Sequence, residues 1–221
     1  MEQIFKISPV RPIAELLQES YSQHPPQETG TFRPCELVDL ETLDPSLILD
    51  IRYASHNNFV STPVYSQPKA YLQQPAARAL LRAHKRLKEQ GYGMIIYDGY
   101  RPWNVTWVFW QATPSGQKIF VADPADGSKH NRGCAIDLGM YTLHTEEPVE
   151  FPSGFDEMTP KAFSDYAGGT RLQTLHRTIL LAAMEAEGFT VHPNEWWHFD
   201  YKDWMHYSIN NTSFEKITSS R

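Results

Sequence analysis

Hydrophobic and polar positions change rhythm several times along the chain, and the changes predict short strands mixed with helices. Ile13 to Leu17 is a short amphipathic stretch inside a segment rich in Pro, Gln, Ser and Glu, so residues 1–34 are expected to form an arm that packs loosely across the body. Leu47 to Tyr53 reads as a strand. Pro75 to Gln90 reads as a helix, with proline at its start, Leu80, Leu81 and Leu87 on one side, and Gly91 as its stop. Gly93 to Tyr97 is an apolar run entering the turn Asp98-Gly99-Tyr100, after which Pro102 opens a second helix carrying Val105, Val108 and Phe109. Gly133 to Met140 has strand character, Arg171 to Glu187 is a long helix closed by Gly188, and Phe189 to Tyr201 divides into two extended pieces at His192-Pro193.

Strands and helices intermix without a regular crossover repeat, which predicts a single α+β domain rather than a doubly wound sheet. The expected boundaries are an N-terminal arm over 1–34, one domain over 35–209 and a C-terminal tail over 210–221. Composition narrows the function classes. Hydrophobic residues at 41% and charged residues at 21% are ordinary globular usage, so the chain is expected to fold by itself. A net charge of -6 without a dense Lys/Arg run argues against a nucleic-acid partner. The most apolar stretches fall far short of the roughly 20 residues that cross a bilayer, so no membrane span is expected. Pro9, Pro12, Glu15 and Gln18 interrupt the stretch where an export signal needs an apolar core. A cytoplasmic location is therefore expected, or a periplasmic one if a signal peptide has been removed. The oligomeric state is left open.

The only cysteines, Cys35 and Cys134, make neither a disulfide framework nor a Cys-rich zinc site, so any metal must be held by His and carboxylate. Of nine histidines, two keep informative company: His130 begins His-Asn-Arg-Gly-Cys-Ala-Ile-Asp, and His198 ends Glu-Trp-Trp-His. Gly133 lets the backbone turn, after which Ala135 and Asp137 share a strand face, with the small alanine leaving room for an ion. Two imidazole nitrogens and one carboxylate oxygen suit a zinc ion with one position open to water. Glu195 and His198 are three apart, which does not share a face on a regular strand, so a bend or bulge is required to turn both inward. Glu195 would then stand free as a general acid/base. Taken one segment at a time, the same residues fit equally well a His–Asp hydrogen bond and an exposed glutamate. Arg101, at a strand-to-helix corner, could face a developing oxyanion. By spacing alone a surface ion pair is the simpler reading for it.

Together, Asp98-Gly99-Tyr100-Arg101-Pro102, the run from Ser128 through His130, Gly133 and Ala135 to Asp137, and Glu195-Trp196-Trp197-His198 resemble the D-alanyl-D-alanine dipeptidases of the vancomycin-resistance type. The resemblance runs from about Leu49 through Tyr201 and includes Ile51-Arg52-Tyr53-Ala54 and Asn58-Phe59. It implies a small α+β domain of the hedgehog/D,D-peptidase type, with a mostly antiparallel sheet flanked by helices. It also implies one zinc ion per chain on His130, Asp137 and His198, Glu195 as acid/base and Arg101 as stabiliser of the tetrahedral intermediate. Ser128, Tyr53 and Asp156 would line the pocket for a small dipeptide, with Asp156 on the substrate ammonium. The implied reaction is hydrolysis of free D-Ala-D-Ala to two D-alanines. The alternative is a zinc D,D-carboxypeptidase or endopeptidase acting on peptidoglycan stem peptides. Cys134 is expected to be a packing residue.

Overall fold

The computed structural model describes residues 4–219. In chain order its main elements are α1 (Ile13–Ser20), β1 (Leu37–Asp39), β2 (Ile48–Leu49), β3 (Tyr71–Gln73), α2 (Gln74–Lys88), β4 (Tyr92–Asp98), α3 (Trp103–Ala112), β5 (Ala135–Thr142), α4 (Arg171–Glu185), β6 (Phe189–His192), β7 (Glu195–Tyr201) and α5 (Phe214–Ser219). Single 3-10 turns occupy several of the connections.

Helix α2 starts where Pro75 supplies a helical φ and needs no hydrogen-bonded N–H, and it buries Ala76, Ala79, Leu80, Ala83 and Leu87 along one stripe. Lys85, Arg86 and Lys88 in its last turn face the negative end of the helix dipole. Helix α4 begins with a reciprocal cap, in which the Thr170 side chain accepts from the Gln173 N–H and the Gln173 side chain accepts from the Thr170 N–H. Both helices pack on the same side of the body, α2 against β4 and α4, and α4 against β5 and β6.

The central sheet has the order β2-β4-β5-β7-β6, antiparallel throughout except for the β2–β4 pair. Strands β1 and β3 form a separate antiparallel ribbon. The α+β class and the mostly antiparallel sheet are as expected. The strand expected over 47–53 is shorter, confined to Ile48–Leu49, with a 3-10 turn over Arg52–Ala54. The backbone leaves the sheet there because the Tyr53 carbonyl accepts the N–H groups of Val64 and Tyr65 instead of a neighbouring strand.

Residues 4–34 are not loose. Ile7, Ile13 and Leu16 are buried in the common core, and α1 lies on α3. The Glu28 carboxylate accepts from the Arg132 guanidinium at 2.6 Å and from the Ile209 N–H at 2.6 Å. Amphipathic spacing marked this helix, but its apolar partners lie far away in sequence. Phe214 is likewise packed in, with its ring against Tyr65, Tyr71 and Tyr100.

Candidate active site

The three central strands carry a row of polar side chains across the sheet. Asp98 on β4 is opposite Asp137 on β5, and Asp137 is opposite His198 on β7. Directly opposed residues of antiparallel neighbours project to the same face, so strand register alone assembles this row. Glu195 joins it through an irregularity: Val191 pairs with Phe199, yet His192 pairs with Glu195. The residues looped out between them let Glu195 and His198 share a face, with Glu195 Oε2 3.7 Å from His198 Nδ1. Trp196 and Trp197 hold the irregularity in place. Trp196 stacks on Phe151 at 3.8 Å between centroids and donates its indole N–H to Ser153 Oγ, while Trp197 packs edge-on against Phe155.

His130 enters from a 3-10 turn ended by Gly133, whose φ of 67° lies in the left-handed region, and a Cβ there would meet the Leu37 side chain at 2.5 Å. That turn is bonded to the Asp98–Pro102 corner. The Arg101 N–H donates to the His130 carbonyl at 3.1 Å, and the Asn131 amide donates to the Arg101 carbonyl at 2.9 Å. Gly99 permits close approach at the corner, since a Cβ would lie 2.8 Å from the Tyr71 carbonyl oxygen.

His130 Nε2, Asp137 Oδ1 and His198 Nδ1 converge. The separations are 3.0 Å between the two nitrogens, 3.3 Å from His130 to the carboxylate oxygen and 3.1 Å from His198 to it. The outer nitrogens determine the tautomers. His130 Nδ1 lies 2.7 Å from the Gly99 carbonyl and His198 Nε2 lies 2.9 Å from Asp200 Oδ1, both acceptors only, so the outer nitrogens carry the hydrogens. Both inner nitrogens therefore turn lone pairs toward one another and toward Asp137 Oδ1, which is buried and accepts no hydrogen bond from the described residues. Such a triangle calls for a cation. Donors about 2.0–2.1 Å from a tetrahedral metal are themselves about 3.3 Å apart, close to the separations found. A proton serves the same purpose less completely. Burial opposes charge on His198, but Asp200 and Asp137 flank it and raise its pKa well above the ordinary imidazole value.

Around this group the electrostatics divide by environment. Burial pushes the Glu195 carboxyl up to about 7, with His198 working against the shift and Asp137 adding to it. Arg101 is buried rather than on the surface, and both its Nε and Nη2 donate to Asp98 Oδ2, at 3.0 and 2.8 Å. Burial disfavours its charge, but Asp98 and the nearby tyrosines and Asp137 keep the guanidinium protonated. Asp98 also accepts from the Tyr65 hydroxyl at 2.7 Å and from the Gly99 N–H at 2.9 Å. Asp156 adopts a φ of 57°, a left-handed conformation that aspartate tolerates better than most residues. The Tyr53 hydroxyl lies 2.9 and 3.2 Å from its two oxygens. Burial, with the charge of Asp137, raises the Asp156 carboxyl well above its ordinary range, while the Tyr53 hydroxyl and the charge of Arg101 work against the shift.

A cavity of about 140 Å³ opens over these groups, and its wall includes Tyr53, Ser128, Asp137, Asp156 and Glu195. Every residue singled out from the sequence thus lies at one place. The sequence reading placed Asp98 and Gly99 only in the motif around Arg101 and did not single out Asp200, so it missed that Asp98, Asp200 and the Gly99 carbonyl hold Arg101, His198 and His130. Asp200 carried a usable signal, because it is two residues from His198 and so projects to the same strand face. Cys134 is buried, as expected of a packing residue. No helix among the described residues is long and apolar enough to cross a membrane.

A family model described as D-ala-D-ala dipeptidase matches residues 33–219. The D-alanyl-D-alanine dipeptidase of Escherichia coli K12 is 33% identical over 184 residues, covering 83% of this chain and 94% of that protein. That of Enterococcus faecium is 33% identical over 172 residues, covering 70% and 85%, and that of Streptomyces coelicolor is 31% identical over 175 residues, covering 71% and 87%. Among solved structures, an LD-carboxypeptidase aligns with a TM-score of 0.42 at 18% identity over 87% of this chain and 76% of its own.

Proposed function

Because the chain belongs to the D-Ala-D-Ala dipeptidase family of metallopeptidases, we propose that it hydrolyses free D-Ala-D-Ala to two D-alanines, using zinc held by His130, Asp137 and His198. The observation that carries this reading is the convergence of three buried lone-pair donors beside a separate glutamate. A merely structural site would have no use for Glu195.

When bound, zinc would acidify a water molecule and polarise the scissile carbonyl. The remaining work falls to the chain. Glu195 takes the proton from the attacking water and delivers it to the leaving amine as the peptide C–N bond breaks. A carboxyl near neutrality suits both directions of transfer. Arg101 faces the charge that grows on the carbonyl oxygen, and its two bonds to Asp98 hold the guanidinium ready for it. Asp156, oriented by the Tyr53 hydroxyl, takes the substrate ammonium. A buried carboxylate there favours a free amino end, because an acylated chain would leave it unpaired.

The test is hydrolysis of D-Ala-D-Ala, L-Ala-L-Ala and N-acyl-D-Ala-D-Ala by the zinc-loaded protein beside a chelated control. Chelator-sensitive release of D-alanine from the free D,D-dipeptide alone is expected. Cleavage of the acylated substrate at a comparable rate would place the protein among the carboxypeptidases.

A further inference from the structure

Arg101 stands between two carboxylates. Its Nε and Nη2 donate to Asp98 Oδ2 at 3.0 and 2.8 Å, and the same Nη2 lies 3.8 Å from Asp137 Oδ2, on a residue assigned to the metal. A guanidinium that shifted onto Asp137 would leave the carbonyl oxygen it is meant to face and compete for a metal ligand. The rings of Tyr53 and Phe109, 5.3 and 5.0 Å from its Cζ, limit its tilt but do not choose between the two acceptors. That choice falls to Asp98, and so to whatever fixes the plane of its carboxylate.

Asp98 Oδ1 accepts from the Gly99 N–H at 2.9 Å and from the Tyr65 hydroxyl at 2.7 Å. The Gly99 bond is internal to the corner, whereas Tyr65 reaches it from the connection between β2 and β3. His130 Nδ1, 3.7 Å from Asp98 Oδ2, gives its hydrogen to the Gly99 carbonyl instead. Tyr65 is itself well fixed. It is buried, with its ring edge-on to Phe214 at 4.8 Å and to Tyr53 at 5.6 Å. The Tyr53 carbonyl accepts the N–H groups of Val64 and Tyr65, which closes residues 53–65 into a compact loop, and the buried Asn58 amide donates to the Ser55 and Thr62 carbonyls inside it. One closed loop thus delivers two phenols, Tyr53 to Asp156 and Tyr65 to Asp98. We propose that Tyr65 is a positioning residue for the hydrolysis, whose hydroxyl fixes the Asp98 carboxylate and through it keeps Arg101 turned to the carbonyl oxygen rather than to Asp137. This deepens the role that the dipeptidase reading gives Arg101, and it rests on that reading.

The experiment compares zinc-loaded wild type, Tyr65→Phe, Arg101→Ala and the double variant on D-Ala-D-Ala, with zinc content and melting temperature measured on each. Loss of one hydrogen bond to a charged group is expected to lower kcat about tenfold or more in Tyr65→Phe, with zinc content unchanged and KM within about twofold. In the Arg101→Ala background the same change should cost less than about twofold, because its effect passes through the missing guanidinium. An unchanged kcat in Tyr65→Phe, or two losses that multiply in the double variant, overturns the assignment while the dipeptidase reading stands. Hydrogen exchange of the Arg101 Nε–H, followed by nitrogen-15 NMR, reads the same link without turnover: it should be slow in wild type and about tenfold or more faster in Tyr65→Phe. Equal exchange in the two proteins overturns the assignment. A zinc-loaded wild type inert toward D-Ala-D-Ala overturns the dipeptidase reading instead, and the exchange result then still decides whether Tyr65 holds Arg101. Should Tyr65→Phe melt early, 4-fluorophenylalanine at this position fills the volume of the hydroxyl without a donor and takes its place. Early melting of that protein as well would show that the hydroxyl serves the fold and not Arg101, and would overturn the assignment.

Discussion

Asp137 and His198 face each other directly across β5 and β7, and the 3.1 Å between Asp137 Oδ1 and His198 Nδ1 follows from that pairing. The candidate metal-binding group is therefore built largely into the central sheet, with only His130 supplied by a turn. Ligands fixed by sheet register lose little freedom when a cation arrives.

Glu195 and His198 share a face but are assigned different work, and their variants should separate. Glu195→Ala should retain zinc and lose on the order of 100- to 10,000-fold in kcat, the range for removal of a general acid/base. His198→Ala should lose zinc as well. Metal analysis beside turnover reads both, and equal zinc loss in the two variants would contradict the assignment.

Asp200 fixes the tautomer of His198 by accepting its Nε2 hydrogen at 2.9 Å. Asp200→Asn leaves an amide that can present the wrong group to that nitrogen, and zinc affinity should fall about 10- to 100-fold. Competition with a chelator of known affinity measures this. Activity at saturating zinc should recover most of the way, and a variant that binds zinc as tightly as wild type would show that Asp200 does not orient the ligand.

Asp156→Asn should raise KM for free dipeptides by about tenfold or more while leaving N-acylated substrates little changed, since only the former bring an ammonium to the site. Parallel steady-state kinetics on the two substrate types provide the comparison. A uniform loss would mean that the loop, held at a φ of 57°, had simply collapsed.

His84 offers a pH prediction away from the cavity. It is fully buried on α2, with Nε2 3.0 Å from Ser46 Oγ and Nδ1 without a hydrogen-bond partner among the described residues. Burial, then the charge of Lys88, lowers its pKa from 6.5 to about 4, while Asp44 works the other way. Between these values the unfolded chain binds a proton that the folded one refuses. Its contribution is therefore fully present above about 6.5 and lost as pH falls toward about 4, amounting to about 3 kcal/mol. Denaturant melts of wild type and His84→Gln at pH 7 and pH 4.5 should show a smaller acid loss in the variant. Equal losses would mean that His84 charges freely in the native state.

Much of this protein was readable before its fold. The helix after Pro75, the strand into Asp98, the break at His192-Pro193 and the need for a bulge between Glu195 and His198 are local, set by spacing, proline and glycine within a few residues. The site residues were likewise marked by short-range company, His130 with Asp137 and Glu195 with His198. The packing of α1 and the holding roles of Asp98, Asp200 and the Gly99 carbonyl were not legible. Alternation states which face of a strand a side chain occupies, but not which strand lies beside it. That choice is made by burial summed over the whole core, and it alone placed Asp98, Asp137 and His198 in one row and turned three lone pairs toward one point.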